Sequence, residues 1–146
     1  MTGKPEDRGP LVDDIEGRAL DVYREIAVNL PGYVSLLDED RRFVWVNRVA
    51  PGLRREDVLG ARIDEFIDAS YRAGAVEAIT HVFATGQERV YEAAGYGEGG
   101  TPFWYRTLTA RGPLHEGRPI VLQIARDVTR EKLAELELRA TNARFR

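Results

Sequence analysis

The apolar positions of this chain change their spacing several times, and each change marks an element. From Ile15 to Leu30 they recur every three or four residues, at Ile15, Ala19, Val22, Tyr23, Ile26, Ala27 and Leu30, which predicts an amphipathic helix stopped by Pro31-Gly32. Two short β-rich runs follow, Tyr33 to Leu37 and Phe43 to Val49, joined by the polar Asp38-Glu39-Asp40-Arg41-Arg42, the pattern of a hairpin. From Asn47 to Asp68 the pattern breaks at Pro51-Gly52 and again at Gly60, leaving a short helix over Arg54 to Leu59. The longest internal helix is expected from Tyr71 to Thr85, with Tyr71, Ala75, Val76, Ile79, Val82 and Phe83 on one face and Gly86 ending it. Three further β-type runs, Glu88 to Ala94, Phe103 to Ala110 and Ile120 to Arg126, are separated by turns at Gly95 to Gly100 and Gly112 to Gly117. Tight turns make these three an antiparallel meander, which the first hairpin completes as one five-stranded sheet, with the intervening helices on one face. The fold class is α+β.

The run Ile120-Val121-Leu122-Gln123-Ile124-Ala125 is apolar on both parities, so something must cover each face of that strand. The N-terminal helix or a second subunit is the candidate for the outer face. Gln123 interrupts the run and shares its parity with Val121 and Ala125, so a buried amide there needs a partner, which could be backbone, water or a ligand. A helix begins at once beyond the strand. Asp127 stands where its carboxylate can accept from the first-turn amides, and Leu133, Leu136, Ala140 and Ala143 follow at heptad spacing. A strand feeding straight into a helix that can pair with its own copy is a mechanical coupling.

The chain resembles a PAS sensory domain. The segment Arg126-Asp127-Val128-Thr129, followed by Glu131, Lys132 and Ala134-Glu135, is similar to the Asp-Ile-Thr exit motif through which many PAS domains lead into an output helix. Four other stretches agree in order: Leu37-Asp38 through Phe43-Val44-Trp45-Val46-Asn47, then Asp57 to Arg62, Thr85-Gly86-Gln87, and Gly100 to Trp104. The resemblance covers about residues 31 to 132. It implies a leader at 1–14, a cap helix at 15–30, the PAS domain at 31–127 and an output helix at 128–146. It also implies a sheet cavity beneath the helices, in which Gln123 and Ala125 are joined by Trp45, Tyr71, Phe83 and Trp104 as candidate lining residues. In the same frame Asp127, Thr129 and Lys132 transmit the signal, Lys132 as a partner for Asp127, and Leu133, Leu136, Ala140 and Ala143 form the dimer contact. The last residues, Leu138 to Arg146, are similar to segments joining one sensory domain to the next, which implies a piece of a larger signalling protein, most often a histidine kinase.

Composition narrows the chemistry. With 146 residues, one domain with short extensions is expected, and 21 basic against 24 acidic residues leave a net charge of −3, with no broad attraction for nucleic acid or anionic lipid. No stretch reaches the length and apolarity of a membrane span, so the fragment is expected to be cytoplasmic and to make no membrane contact, though its parent can be membrane-attached. Zero cysteines remove disulfides, thiolate metal sites and any covalent flavin adduct. His81 lies at the edge of its helix's apolar face, which argues against haem, and His115 lies in a polar turn; the cofactor stays unnamed. No metal-ligand spacing, Ser/His/Asp set or phosphate loop is present. The expected function is therefore a noncatalytic sensory module, with a small-molecule ligand, a homodimeric partner and a downstream sensory or kinase domain. The alternatives are a ligand-free interaction module and, on a cone-like fold, an isomerase with a buried carboxylate base.

Overall fold

The computed structural model describes residues 21–22, 24–96 and 101–144. The expected leader, residues 15–20 of the N-terminal helix, Tyr23, the glycine turn at 97–100 and Phe145-Arg146 lie outside the described residues.

Five strands form one antiparallel sheet: β1 (Tyr33–Leu37), β2 (Phe43–Val46), β3 (Arg89–Tyr96), β4 (Pro102–Arg111) and β5 (Val121–Asp127), in the spatial order β2-β1-β5-β4-β3. The hairpin thus inserts its first strand beside the last strand of the meander. Helical backbone over residues 24–29 (α1) precedes β1. Between β2 and β3 lie α2 (Arg55–Val58), a 3-10 turn (Ile63–Phe66) and α3 (Ala69–Thr85). The chain closes with α4 (Thr129–Arg144).

Register sorts the side chains into two faces. Ser35 lies opposite both Val46 and Gln123, Gln123 opposite Thr109, and Thr107 opposite Tyr91 and Ala125. This parity faces the internal helices. On that side α3 buries Ala75, Ala78, Ile79 and Val82 against Leu37, Tyr91, Ala93 and Val121. Gly86, at φ +75°, ends α3 in the left-handed conformation that an L side chain adopts only with strain, and its N–H bonds Val82 O at 2.8 Å.

The opposite parity carries Leu36 against Trp45, with Leu36 also opposite Leu122, and Leu108 opposite Ile124. Val34 and Leu36 are buried there, whereas Leu122 and Ile124 are only half-buried. Of the described part of the N-terminal stripe, Ala27 is buried, while Val22 and Ile26 are exposed.

Asn47 does more than make a local turn. Its Oδ1 accepts from Val34 N–H at 2.8 Å while its Nδ2 donates to Ala27 O at 2.8 Å, and the Arg48 guanidinium donates to Leu30 O at 2.8 Å. The carbonyls left over at the end of α1 are thus satisfied by the residues that follow β2.

The β1–β2 turn is held in the same manner. Asp38 Oδ1 accepts from the amides of Asp40 and Arg42, and Arg41, at φ +62°, sends a two-pronged bond to Asp64 at 2.9 and 2.8 Å. The Arg41 guanidinium holds the Asp64 carboxyl below its usual range. Asp64→Asn is expected to cost about 1 kcal/mol, modest because the pair is partly exposed. A depressed carboxyl pKa stabilises the fold above the unfolded-state value and loses that contribution as pH falls through the folded-state value. The wild-type advantage over Asp64→Asn is therefore expected to be constant near neutrality and to shrink as pH falls through and below the ordinary aspartate range, as measured by urea unfolding at a series of pH values.

Candidate functional site

Between the inner face of the sheet and the α2 to α3 segment lies a cavity of about 640 Å³. Its sheet wall is built by strand alternation: Tyr33 and Ser35 from β1, Val46 from β2, Tyr91, Ala93 and Gly95 from β3, Phe103, Tyr105 and Thr107 from β4, and Gln123 and Ala125 from β5. Phe43, Val58, Ile63, Phe66 and Ile67 supply apolar wall elsewhere. Gly95 is required here, because a Cβ on it would lie 2.8 Å from Phe66 O.

The deep polar groups are neutral. Ser35, Thr107 and Gln123 are all buried, and Gln123 Nε2 donates to the Tyr91 hydroxyl at 2.7 Å. Burial pushes the Tyr91 phenol up to about 12, although its bonds to Gln123 and Thr107 pull the other way. The Tyr105 phenol is likewise pushed up to about 12 by burial, aided by Tyr33 and by the Asp127 charge. Both stay protonated at neutral pH. Tyr33 and Tyr105 meet edge to face with centroids 5.7 Å apart. The charged lining residues, Arg48, Glu65, Asp68 and Arg72, keep more contact with solvent than these groups do.

β5, which supplies Gln123 and Ala125 to the cavity wall, leads directly into the start of α4. Asp127 lies opposite Tyr105, and its Oδ1 accepts from Thr129 N–H at 2.8 Å. Trp104 bonds the helix start in both directions: its N–H donates to Thr129 Oγ1 at 3.0 Å, and its carbonyl accepts from Val128 N–H at 2.8 Å. Val128 is buried, whereas α4 itself contains no buried residue. The helix is therefore held at its base.

The sequence-predicted residues divide by position. Gln123 and Ala125 line the cavity. Trp45 and Trp104 stand on the other parity, opposite Leu36 and Ala94, so their rings belong to the outer face and the expectation that they line the cavity is corrected. Tyr71 and Phe83 pack at the edge of the α3 core and not among the lining residues, a second correction. Lys132 pairs with Glu92 Oε2 at 3.8 Å, and Glu92 Oε1 accepts from Arg106 at 2.9 Å, so a carboxylate of β3 replaces Asp127 as the lysine's partner. Leu133, Leu136, Ala140 and Ala143 are all exposed in the single chain. His81 sits between Gln87 and Arg89, away from the cavity lining. The residues not anticipated, Tyr33, Ser35, Tyr91, Tyr105 and Thr107, could have been found from alternation once Gln123 was paired with Ser35.

The PAS-domain family profile matches residues 31–130. Among curated protein sequences nothing matches. Of solved structures, the PAS domain of an HTR-like protein from Haloarcula marismortui is 24% identical, with a TM-score of 0.60, covering 82% of this chain and 99% of that one. The LOV domain of the blue-light activated histidine kinase from Erythrobacter litoralis is 22% identical, with a TM-score of 0.57 and coverages of 69% and 99%. A PAS domain from a two-component sensor histidine kinase is 13% identical, with a TM-score of 0.58 and coverages of 76% and 97%. At these identities the structural likeness speaks for the fold, and it agrees with the profile match across most of the folded region. The five-stranded antiparallel sheet with its helices and the terminal α4 agree with the family profile, and the chain belongs to the PAS domain family.

Proposed function

We propose that the chain is the sensory module of a larger signal-transduction protein, of the histidine-kinase kind, in which a small molecule in the cavity changes the position of α4. One observation carries this reading: β5 supplies Gln123 and Ala125 to the cavity and, at its last residue, the Asp127 carboxylate to the start of α4. A side chain that moves under the sheet need travel only one pleat to reach the helix. A ligand shifts this equilibrium only by its differential affinity for the two α4 positions.

The exposed leucines of α4, Leu133 at 51% and Leu136 at 42%, favour pairing with a second copy as the output element. A dimer contact without a ligand is the alternative reading, and these leucines are what supports it. We read the module as noncatalytic, since Glu92 and Asp127 are solvent-facing charges of the kind expected on a surface. No helix among the described residues is long and apolar enough to cross a membrane.

In the parent protein, Asp127→Ala is expected to leave the domain folded, at a cost of about 1 kcal/mol for the lost cap, and to uncouple output from signal. An output that still follows the signal in this variant would contradict the hinge role.

A further inference from the structure

The cavity has a chemical bias that narrows its occupant. Six aromatic rings line it: Phe43, Phe66, Phe103, Tyr33, Tyr91 and Tyr105. Phe43 and Phe66 meet edge to face at 5.8 Å, as Tyr33 and Tyr105 do at 5.7 Å, so the walls offer ring faces and edges on more than one side. The volume of about 640 Å³ corresponds to roughly 20 waters at liquid density, the space of a multi-ring molecule.

Charge is distributed unevenly around it. The buried polar groups of the lining are a hydroxyl on Ser35, another on Thr107, the Gln123 amide and the Tyr91 phenol. The four ionised lining residues are two arginines, Arg48 and Arg72, and two acids, Glu65 and Asp68, so their formal charges cancel. Arg48 is committed to the carbonyls of Val28 and Leu30, and Arg72 Nε to Ile67 O at 2.9 Å. A charged ligand group carried to the deep end would leave water without meeting a counter-ion there. The Gln123 amide spends one N–H on Tyr91, and an amide of this kind has a second N–H and two oxygen lone pairs to offer.

Resting on the reading of this cavity as a ligand site, we infer that its ligand is an uncharged aromatic molecule, a polar group of which is bonded by the Gln123 amide.

The test is a titration of the isotope-labelled chain followed by amide NMR, with three probes on one biphenyl frame: neutral 4-phenylphenol, anionic 4-phenylbenzoate and cationic 4-phenylbenzylammonium. The phenol is expected to shift the Ser35, Thr107 and Gln123 amides saturably, and both ions to bind at least about tenfold more weakly. Gln123→Met, which keeps the side-chain length, is expected to weaken phenol binding by up to about tenfold. Ser35→Leu, which fills the cavity from β1 and leaves the Gln123 amide in the chain, is expected to abolish it. Binding of the benzoate as tight as the phenol, with shifts centred on Arg48 and Arg72, would overturn the assignment in favour of an anion held at the rim. Equal binding of the phenol by Gln123→Met removes the role of the amide, and absence of saturable shifts with all three probes removes the aromatic class. None of these outcomes bears on whether filling the cavity moves α4, which Ser35→Leu reads without any ligand.

Discussion

Alanine at Gly32 is expected to lower the unfolding free energy by about 3 kcal/mol. Two costs add at this residue. Its φ of +93° lies in a region that L side chains rarely adopt, and a Cβ there would stand 2.7 Å from Ala125 O, a backbone atom of β5 that cannot rotate away. Gly32 also joins three elements: it follows α1, precedes the β1 residue Tyr33 that pairs with Ala125, and offers its carbonyl to Asn47 Nδ2 at 3.3 Å. Relief of the clash must therefore separate β1 from β5 at the end of the cavity nearest α4. Urea unfolding at neutral pH measures the effect, and a loss below about 0.5 kcal/mol would mean that the close approach is not a constraint of the fold.

The second large effect is expected at Ile79. Its side chain has no exposed surface and packs from α3 into the cluster that contains Leu37 and Val121. Ile79→Ala is expected to cost about 3 kcal/mol, the sum of lost transfer energy and an unfilled void. The void would open where β1 ends and β5 begins, since Leu37 and Val121 are paired across those strands. Leu138→Ala on α4, where the side chain is 61% exposed, should change stability by less than about 0.5 kcal/mol in the same assay. Equal effects at the two positions would contradict the assignment of the core to the α3 side of the sheet.

The elements were legible because their signals are local. β-rich runs bounded by turn residues marked β1 to β5, and Gly86 marked the end of α3, with shifts of up to three residues at the boundaries; β2 ends at Val46, before Asn47 turns to bind α1. The site was legible only where a parity argument needed one strand. Gln123 and Ala125 share a face by alternation alone. Trp45 and Trp104 were misassigned because aromatic size carries no information about face; their positions follow from pairing with Leu36 and Ala94, which lie at least nine residues away along the chain. Lys132 and Glu92 are separated by 40 positions, and no local pattern brings them together. The reason for Gly32 is equally nonlocal: the sequence marks a helix stop, while the structure adds a carbonyl of β5 beneath it.

The central claim is that the packing under the sheet sets the state of the base of α4. Hydrogen exchange of the wild-type chain against Ser35→Leu tests it most directly, because leucine at this cavity-lining position fills space beneath β1 and changes no residue of β4, β5 or α4. Coupling predicts that the amides of residues 128–132 change their exchange rates by about threefold or more, while the β1–β2 turn held by Asp38 does not change. Unaltered exchange at residues 128–132 in a folded Ser35→Leu chain would contradict it.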